Sequence, residues 1–266
     1  MSALFFVLLL VVASTSGYDL RNNTAPYNPE VYITNGLTAE DDQFNFQVGL
    51  SIRMSLLTFQ WCGGSLISPK WILTAAHCTD GAKSITAYLG SIKKRSGKKV
   101  KVLKTIIHKG WNRTEAVNDI SILRIFRVKL GSSINVVDLP ALSSSSIYPE
   151  YLNENVIASG WGYINDERET SKDLQYALLK ITSNSECSEL YRDYTSRDVN
   201  SNIICAKGPI GTSTCSGDSG GPLITETDKI LVGITSFGAK KCTLGSPTAF
   251  TRITSYRSWI LDKTGI

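Results

Sequence analysis

The residues with the clearest chemical potential are a serine, a histidine and an aspartate in three separate motifs. Ser219 lies in a Gly-Asp-Ser-Gly-Gly-Pro run at 217–222, His77 follows Thr-Ala-Ala, and Asp119 lies in an Asn-Asp-Ile-Ser stretch. A serine hydroxyl is a weak nucleophile at neutral pH, so it needs a positioned base, and the oxyanion that it generates needs backbone N–H donors. Glycines beside the serine allow the close backbone approach of such donors. Together the three motifs indicate nucleophilic acyl transfer.

Each motif also has a simpler interpretation. A Gly/Asp/Ser cluster alone is typical of a polar turn, and a single histidine is more often structural than catalytic. The chain has two histidines. His108, in an Ile-Ile-His-Lys stretch, is interpreted as a surface residue, so His77 is the candidate base. The order His, Asp, Ser differs from the Asp, His, Ser order of subtilisins and the Ser, Asp, His order of α/β-hydrolases.

The elements that must position these residues read as short strands. Strand-like runs separated by Gly, Asn, Ser and Asp clusters occur at 46–50, 100–103, 120–123, 155–158 and 229–234. Such spacing predicts an all-β sandwich or barrel. The Ser143–Ser146 run, between two prolines, predicts a connection between two halves. Apolar residues at spacings of three to four predict a C-terminal helix from about Ile253 to Lys263.

From Ile33 to its C-terminal end the chain resembles the chymotrypsin-like (trypsin-fold) serine endopeptidases. The resemblance rests on the three motifs and on Cys-Gly-Gly-Ser-Leu-Ile at 62–67 and Ser-Gly-Trp-Gly at 159–162. The chain is most similar to arthropod digestive chymotrypsin- and brachyurin-like enzymes. The resemblance implies two six-stranded antiparallel barrels, approximately 33–139 and 140–266, with the active site between them.

The same resemblance implies a role for each residue of the motifs. Ser219 would attack the scissile carbonyl, His77 would take and return the proton, and Asp119 would orient His77. The N–H groups of Gly217 and Ser219 would hold the oxyanion. The alternative from another class is a non-catalytic binding homologue. It is disfavoured because all three triad positions and both oxyanion positions are intact.

The resemblance also implies a substrate pocket without an acidic floor. Its residues are Ser213, Ser216, Ser236, Phe237, Gly238 and Thr248, and Ser236 would also support Asp119. Ser213 stands where trypsins have an acid, and an unpaired buried cation costs several kcal/mol, so Arg and Lys substrates are disfavoured. We expect cleavage after large apolar or aromatic residues. An elastase-like preference for smaller residues is the alternative, because Thr248 replaces a glycine and narrows the pocket.

The first 32 residues read as a signal peptide, 1–16, and a propeptide, 17–32. Residues 4–13 form an apolar run that ends in small residues, too short for the roughly 20 residues of a membrane-spanning helix. The resemblance implies a zymogen in which cleavage frees the amine of Ile33 to pair with Asp218. Tyr32 precedes the cut where most relatives have Arg or Lys. A chymotrypsin-like activator is therefore expected.

The six cysteines of an exported chain predict disulfides rather than metal ligation, since no Cys-x-x-Cys pair accompanies them. By resemblance the pairs are Cys62 with Cys78, Cys187 with Cys205, and Cys215 with Cys242. We expect no metal and no cofactor. Lysines occupy the loop that holds acidic calcium ligands in some relatives, and lysines repel Ca²⁺.

Without residues 1–32 the chain holds 27 basic and 21 acidic residues, a formal charge of +6. Much of the excess lies at 93–101, with no aromatic residues interleaved, which argues against nucleic-acid binding. A solvated hairpin loop is expected there, with an anion-binding exosite as the minority hypothesis. The expected partners are protein or peptide substrates and protein protease inhibitors. We expect a monomer, no membrane association and secretion into a gut lumen. Asn22 and Asn112 each begin an Asn-x-Thr sequence, and the sequence leaves open whether either is glycosylated.

Overall fold

The computed structural model describes residues 33–142, 149–192, 199–239 and 241–266. The expected signal peptide, propeptide and serine-rich connection lie outside these residues. Within them no helix is long and apolar enough to cross a membrane. The helices are α1 (Ala76–Thr79), α2 (Asn184–Arg192) and α3 (Arg257–Thr264). The strands in chain order are β1 (Leu37–Thr38), β2 (Gln47–Arg53), β3 (Phe59–Ser68), β4 (Trp71–Thr74), β5 (Ser84–Leu89), β6 (Lys98–Ile107), β7 (Ser121–Ile125), β8 (Asn155–Gly160), β9 (Gln175–Thr182), β10 (Ile203–Lys207), β11 (Pro222–Thr225), β12 (Leu231–Phe237) and β13 (Thr248–Arg252).

The first barrel closes in the strand order β2-β3-β4-β7-β6-β5, and its pairings are antiparallel. Strand β5 illustrates why these residues form strands. Its Ile85, Ala87 and Leu89 are buried, and the residues that alternate with them are partly exposed. This period of two is that of a strand with one face on the core.

The second sheet has the strand order β1-β9-β10-β13-β12-β11-β8, and β8 also pairs with β9. That pairing closes six strands into a second barrel and leaves β1 attached outside the ring. The predicted fold of two six-stranded antiparallel barrels is confirmed. Strand β1 precedes the first barrel in the chain but pairs with β9 through Leu37 and Tyr176.

The C-terminal segment packs against the first barrel. The expected helix is a 3₁₀ turn at Ile253–Tyr256 followed by α3. Ile253, Tyr256 and Ile260 are buried in one apolar cluster with first-barrel residues such as Ile122. The chain therefore leaves the second barrel and covers the first, which fixes the two barrels against each other.

Three disulfides join the elements in the pairs that the resemblance implied. Cys62 of β3 is bonded to Cys78 of α1, the helix that carries His77. Cys187 of α2 is bonded to Cys205 of β10. The third bond joins Cys215, four residues before Ser219, to Cys242.

The basic run at 93–101 differs from the solvated loop that the sequence suggested. Lys98–Lys101 belong to β6. Lys94 is half-buried, with its Nζ atom 2.8 Å from the backbone oxygen of Trp161 and 5.2 Å from the ring centroid of Trp61. The start of the run therefore lies between the barrels.

Candidate active site

The three candidate catalytic residues lie at the ends of strands, two in the first barrel and one in the second. His77 lies in α1, directly after β4, and Asp119 lies two residues before β7. Strands β4 and β7 are paired, with Thr74 opposite Ser121, so both residues emerge at one edge of the first barrel. Ser219 precedes β11 of the second barrel. The site is therefore built across the junction of the barrels.

Asp119 and His77 form a tight pair. His77 Nδ1 lies 2.7 Å from Asp119 Oδ2, and the His77 backbone N–H donates to Asp119 Oδ1 at 2.8 Å. Asp119 is buried, and 29% of the His77 side chain is exposed. The second barrel holds Asp119 in place, because Ser236 Oγ donates to Oδ2 at 2.6 Å and Thr251 Oγ1 donates to the Asp119 backbone oxygen at 2.8 Å. With an Nδ1 proton donated to the carboxylate, His77 Nε2 is left to exchange a proton.

The backbone of Ser219 is fixed next to His77. The N–H of Gly63, in β3, donates to the Ser219 backbone oxygen at 2.7 Å. The same oxygen and His77 Nε2 each lie 3.6 Å from Cys78 Sγ. The sulfur of Cys78 therefore contacts both the histidine ring and the backbone of Ser219.

Two glycines beside Ser219 adopt backbone conformations that other residues rarely take. Gly217 has φ +103° and Gly220 has φ +77°. A Cβ on Gly220 would overlap Thr74 Oγ1, and one on Gly217 would lie 2.9 Å from the Cα of Gly162. Both the turn and the contact between barrels therefore require glycine at these positions.

The carboxylate of Asp218 is fully buried in a slot made by two glycines. Its Oδ1 accepts from the N–H of Gly162 at 2.7 Å and its Oδ2 from the N–H of Cys215 at 2.9 Å. A Cβ on Gly160 or Gly162 would overlap the carboxyl group. Burial raises the pKa of Asp218 to about 6, although the two backbone donors and the charge of Lys94 oppose this shift.

Lys94 lies one peptide group away from Asp218. Its Nζ donates to the oxygen of the Trp161–Gly162 peptide, and the N–H of the same peptide donates to the carboxylate. Burial lowers the pKa of Lys94, and the charge of Asp218 opposes this. Lys94 thus orients a peptide that supports the buried carboxylate.

The expected activation segment is attached to the second barrel. Ile33 is buried in that barrel's apolar core. Thr34 Oγ1 donates to the Ser213 backbone oxygen at 2.9 Å, and the Ser213 N–H donates back to Oγ1 at 3.2 Å. Tyr32 lies outside the described residues. The residues after the expected cut therefore contact the expected pocket floor directly.

The expected pocket residues lie on two segments joined by the third disulfide. Ser213 is buried, and its Oγ lies 2.9 Å from the backbone oxygens of Thr214 and Cys242. Thr214 Oγ1 and Thr248 Oγ1 lie 2.9 Å apart, which joins the two segments by a hydrogen bond between buried hydroxyls. Neither hydroxyl carries a charge.

The remaining pocket residues differ in exposure. Ser216 is exposed, and its backbone oxygen accepts from the Tyr163 N–H at 2.9 Å. Phe237 is buried against the ring of Tyr191, with centroids 5.4 Å apart. The nearest atom to a Cβ on Gly238 would be Tyr191 Oη at 4.0 Å, so this position leaves space.

Residues 33–260 match the family model described as Trypsin. The chain belongs to the trypsin family. A collagenase of Hypoderma lineatum is 35% identical over 98% of this chain and 97% of the relative. A chymotrypsin of Phaedon cochleariae is 35% identical over 90% of this chain and 84% of the relative. A brachyurin of Leptuca pugilator is 36% identical over 88% of this chain and 99% of the relative.

The solved structure described as HL collagenase gives a TM-score of 0.80 at 36% identity, over 87% of this chain and 98% of that chain. The predicted resemblance to chymotrypsin-like endopeptidases and to arthropod relatives is confirmed. This trypsin-family chain is a serine endopeptidase.

His108 is not the surface residue that the sequence suggested. Its ring is half-buried against Tyr256 and Trp259, with centroid distances of 5.5 and 5.2 Å. Burial lowers the pKa of His108. In this trypsin-family chain it packs the C-terminal segment onto the first barrel.

Among the described residues, one group of potential metal ligands comes together, Cys62, His77 and Cys78, whose ligand atoms lie within 4.8 Å of one another. Both sulfurs are already bonded to each other. A thiolate is the form of cysteine that ligates metal, so this cluster of the trypsin-family site is not a metal site.

Sequence reasoning missed three residues of this site. Thr251 binds the backbone of Asp119, Thr214 pairs with Thr248, and Lys94 supports the peptide beside Asp218. Thr214 could have been found, because it directly follows Ser213. Nothing in the basic run distinguishes Lys94 from its neighbours.

Proposed function

We propose that this endopeptidase uses Ser219 as nucleophile, His77 as general base and then acid, and Asp119 to orient His77. The 2.7 Å contact between His77 Nδ1 and Asp119 Oδ2 carries the proposal. Ser219 Oγ attacks the carbonyl and its proton passes to His77. The proton then goes to the leaving amine, and water hydrolyses the acyl-enzyme in a second cycle. The N–H groups of Gly217 and Ser219 stabilise the oxyanion.

Replacement of the nucleophile tests these roles. Ser219→Ala lowers kcat by about 10⁶, the scale measured for loss of a catalytic serine, while folding is retained. Ser96→Ala, at an exposed position, is the matched control and keeps wild-type kcat. Hydrolysis by purified Ser219→Ala within tenfold of the control would remove Ser219 from the mechanism.

We propose that the pocket accepts large apolar or aromatic residues and excludes cations. Ser213, Thr214 and Thr248 are buried and uncharged, and an Arg or Lys side chain among them would lose hydration without gaining a carboxylate partner. Cleavage after Phe, Tyr, Leu or Met therefore exceeds cleavage after Arg or Lys by at least about tenfold in kcat/KM. Ser213→Asp shifts this ratio towards basic residues. A wild-type preference for Arg on matched peptides contradicts the proposal.

One observation favours the alternative preference for smaller residues. The hydrogen bond between Thr214 and Thr248 joins the two segments that line the pocket, and the Thr248 side chain takes up volume that a glycine would leave free. Under this alternative, Ala and Val substrates are cleaved faster than Phe substrates. Thr248→Gly then raises the Phe/Ala ratio of kcat/KM by about tenfold or more. A wild-type enzyme that already prefers Phe, and a Thr248→Gly variant with the same ratio, would exclude this alternative.

We also propose that the chain is exported, loses residues 1–16, and is activated by cleavage between Tyr32 and Ile33. The burial of Ile33 beside the segment that carries Ser213 supports a role for the new N-terminus in ordering the site. The buried carboxylate of Asp218 is the partner proposed for the freed amine. N-terminal sequencing of active enzyme should read Ile-Thr-Asn-Gly, and Tyr32→Arg should transfer activation to trypsin. An active form that begins elsewhere contradicts this cut.

The proposed setting is the digestion of protein in a gut lumen. The enzyme is proposed to act as a monomer and to bind protein protease inhibitors. The arthropod relatives named chymotrypsin and collagenase support an activity of this kind. Immunolocalisation in the source animal tests the setting. Staining confined to tissues other than gut would overturn it.

A further inference from the structure

Charge is divided unevenly between the two barrels. Residues 33–139 hold 15 Lys and Arg against seven Asp and Glu, whereas residues 140–266 hold 12 against 14. One of the seven acids of the first barrel is Asp119, which is buried. The positive excess of the chain therefore lies on the outer surface of the first barrel.

Strands β3, β2, β5 and β6 bring part of this charge to one surface. Ile52 of β2 and Ile85 of β5 are buried, so the residues that alternate with them along these strands point outwards. Phe59 of β3 lies opposite Arg53 of β2. The neighbouring outward-facing positions are Trp61 of β3, Tyr88 of β5, and Lys99 and Lys101 of β6. We call this surface the basic face, with the members Arg53, Phe59, Trp61, Tyr88, Lys99 and Lys101.

The cations of the basic face have no acidic partner within the described residues. Lys99 and Lys101 are exposed, and Arg53 Nε donates to the hydroxyl of Ser84 at 3.2 Å. No ion pair between described residues includes any of these three cations. Like charges gathered without counter-charges repel one another and attract anions.

Apolar side chains are exposed beside these cations. Phe59 is 56% exposed, and Leu56 and Leu57, in the hairpin before it, are 85% and 92% exposed. The rings of Trp61 and Tyr88 lie 6.0 Å apart within the face. Exposed apolar groups next to unpaired cations fit a partner that carries both acidic and apolar side chains. This combination favours a polypeptide over a polysaccharide.

Strand β3 connects the basic face to the active site. Gly63 donates its N–H to the backbone oxygen of Ser219. Trp61 and Phe59 lie two and four residues earlier on the strand, at about 7 and 13 Å for a rise of about 3.3 Å per residue. The proposed pocket, which holds the residue on the acyl side of the scissile bond, is lined by Ser236–Gly238 of the second barrel. Strand β3 belongs to the first barrel and reaches Ser219 from there, so we place it on the leaving-group side. An extended substrate therefore reaches the basic face within a few residues.

We propose that the basic face binds an acidic, partly apolar segment of the protein substrate on the leaving-group side of the scissile bond. This proposal rests on the proposed peptidase mechanism. The face increases the encounter rate and lowers KM for such substrates. Because its charges are exposed, the effect weakens as ionic strength rises.

The test compares two peptides that are identical up to the third residue after the scissile bond. One continues with about eight residues rich in Glu with one Leu, and the other has Gln in place of Glu. The measured quantity is the Glu/Gln ratio of kcat/KM, at low salt and at about 0.5 M salt. The variant is Lys99→Gln with Lys101→Gln. Its control is Lys180→Gln with Lys229→Gln, two exposed lysines of the second half of the chain.

We expect a ratio of about ten for the wild type at low salt, a value near one at high salt, and a ratio of about three or less for Lys99→Gln/Lys101→Gln. The control keeps the wild-type ratio. A wild-type ratio of one, or an equal fall in both variants, overturns the proposal. If the ratio is one but heparin inhibits only enzymes that retain Lys99 and Lys101, the partner is a polysaccharide and the polypeptide assignment is wrong.

A short chromogenic substrate with no residue after the scissile bond checks the mechanism separately. Loss of that activity would concern the proposed triad, not the basic face.

Discussion

At the residue scale, the buried carboxylates of Asp119 and Asp218 have different proposed roles because their surroundings differ. Asp119 accepts hydrogen bonds from the His77 backbone and from Ser236, and its other partner is the His77 ring. Asp218 has two backbone donors, and its nearest described cation acts through the peptide that Lys94 binds. A buried carboxylate without a direct cation is held at a cost, as the raised pKa of Asp218 reflects. This favours the freed amine of Ile33 as its missing partner.

Lys94→Met should raise the pKa of Asp218 further, because the charge of Lys94 lowers it. The folded pKa of about 6 already exceeds the ordinary value of 3.8, so the uncleaved protein loses stability as pH rises between these values. In the variant this loss becomes larger and extends to higher pH. The measurement is the free energy of unfolding from pH 4 to 8 in a Ser219→Ala background. Lys94→Arg should retain the parent curve, and Lys93→Met is the control in the same loop. Parallel curves for Lys94→Met and its parent would contradict the assignment.

Short motifs and their order predicted the roles proposed for His77, Asp119 and Ser219, and the family resemblance predicted the role of Ser213. It did not reveal the contact of Lys94 with Trp161 or the packing of His108 on Trp259. These contacts join residues far apart in the chain, and a basic or apolar neighbourhood in the sequence does not specify them. Residue types thus predicted the chemistry, and tertiary contacts determined the supporting residues.

At the element scale, helix α1 depends on its surroundings. It has four residues, no side-chain cap and one end bonded to β3 through Cys62 and Cys78. So short a helix does not form alone in water. Its position, and with it the position of His77, is set by the disulfide and by the bond from the His77 N–H to Asp119.

Removal of two different disulfides should separate stability from catalysis. The pair Cys62→Ala/Cys78→Ala and the pair Cys187→Ala/Cys205→Ala should each lose about 2–5 kcal/mol of stability. Where both variants are folded, the first should also lose about tenfold or more in kcat, because the base moves relative to Ser219. Unfolding free energies and kcat on a short apolar substrate provide the comparison. Equal kcat values for the two variants would mean that the first disulfide does not position His77.

Strand centres were predictable from the sequence, and some boundaries were not. The sequence predicts a solvated loop at 93–101 because of its many lysines, although residues 100–103 also read as a strand-like run. In the structure Val100 points into the core and Lys99 and Lys101 point outwards, which is the period of a strand. The long lysine stems suit that outer position.

At the scale of the whole molecule, the site exists only where the barrels meet. Asp119 and His77 come from the first barrel, and Ser219, Ser236 and Thr251 come from the second. The C-terminal helix α3 and strand β1 each cross to the other barrel. Their crossing could not be derived from local patterns, because an amphipathic segment does not specify which barrel it covers.

Cleavage at Ile33 should change how the stability of the whole molecule depends on pH. Before cleavage, stability falls as pH rises from about 4 to about 6, because Asp218 becomes a buried anion. After cleavage the amine of Ile33 pairs with it, so this loss disappears up to about pH 8, where an α-amino group of ordinary pKa loses its proton. Unfolding of Ser219→Ala protein, before and after cleavage by a chymotrypsin-like protease, measures the change. Superimposable pH curves would contradict the proposed pairing.

Covalent labelling of the mature enzyme with a phosphonylating reagent tests the central claim most directly. Mass spectrometry of digested, labelled enzyme should locate one phosphonyl group, on Ser219, and labelling should proceed in step with loss of peptidase activity. His77→Ala should be labelled more slowly by about 10³ or more, because the serine has lost its base. A label on any other residue, peptidase activity that survives full labelling, or His77→Ala labelled at the wild-type rate would contradict the account.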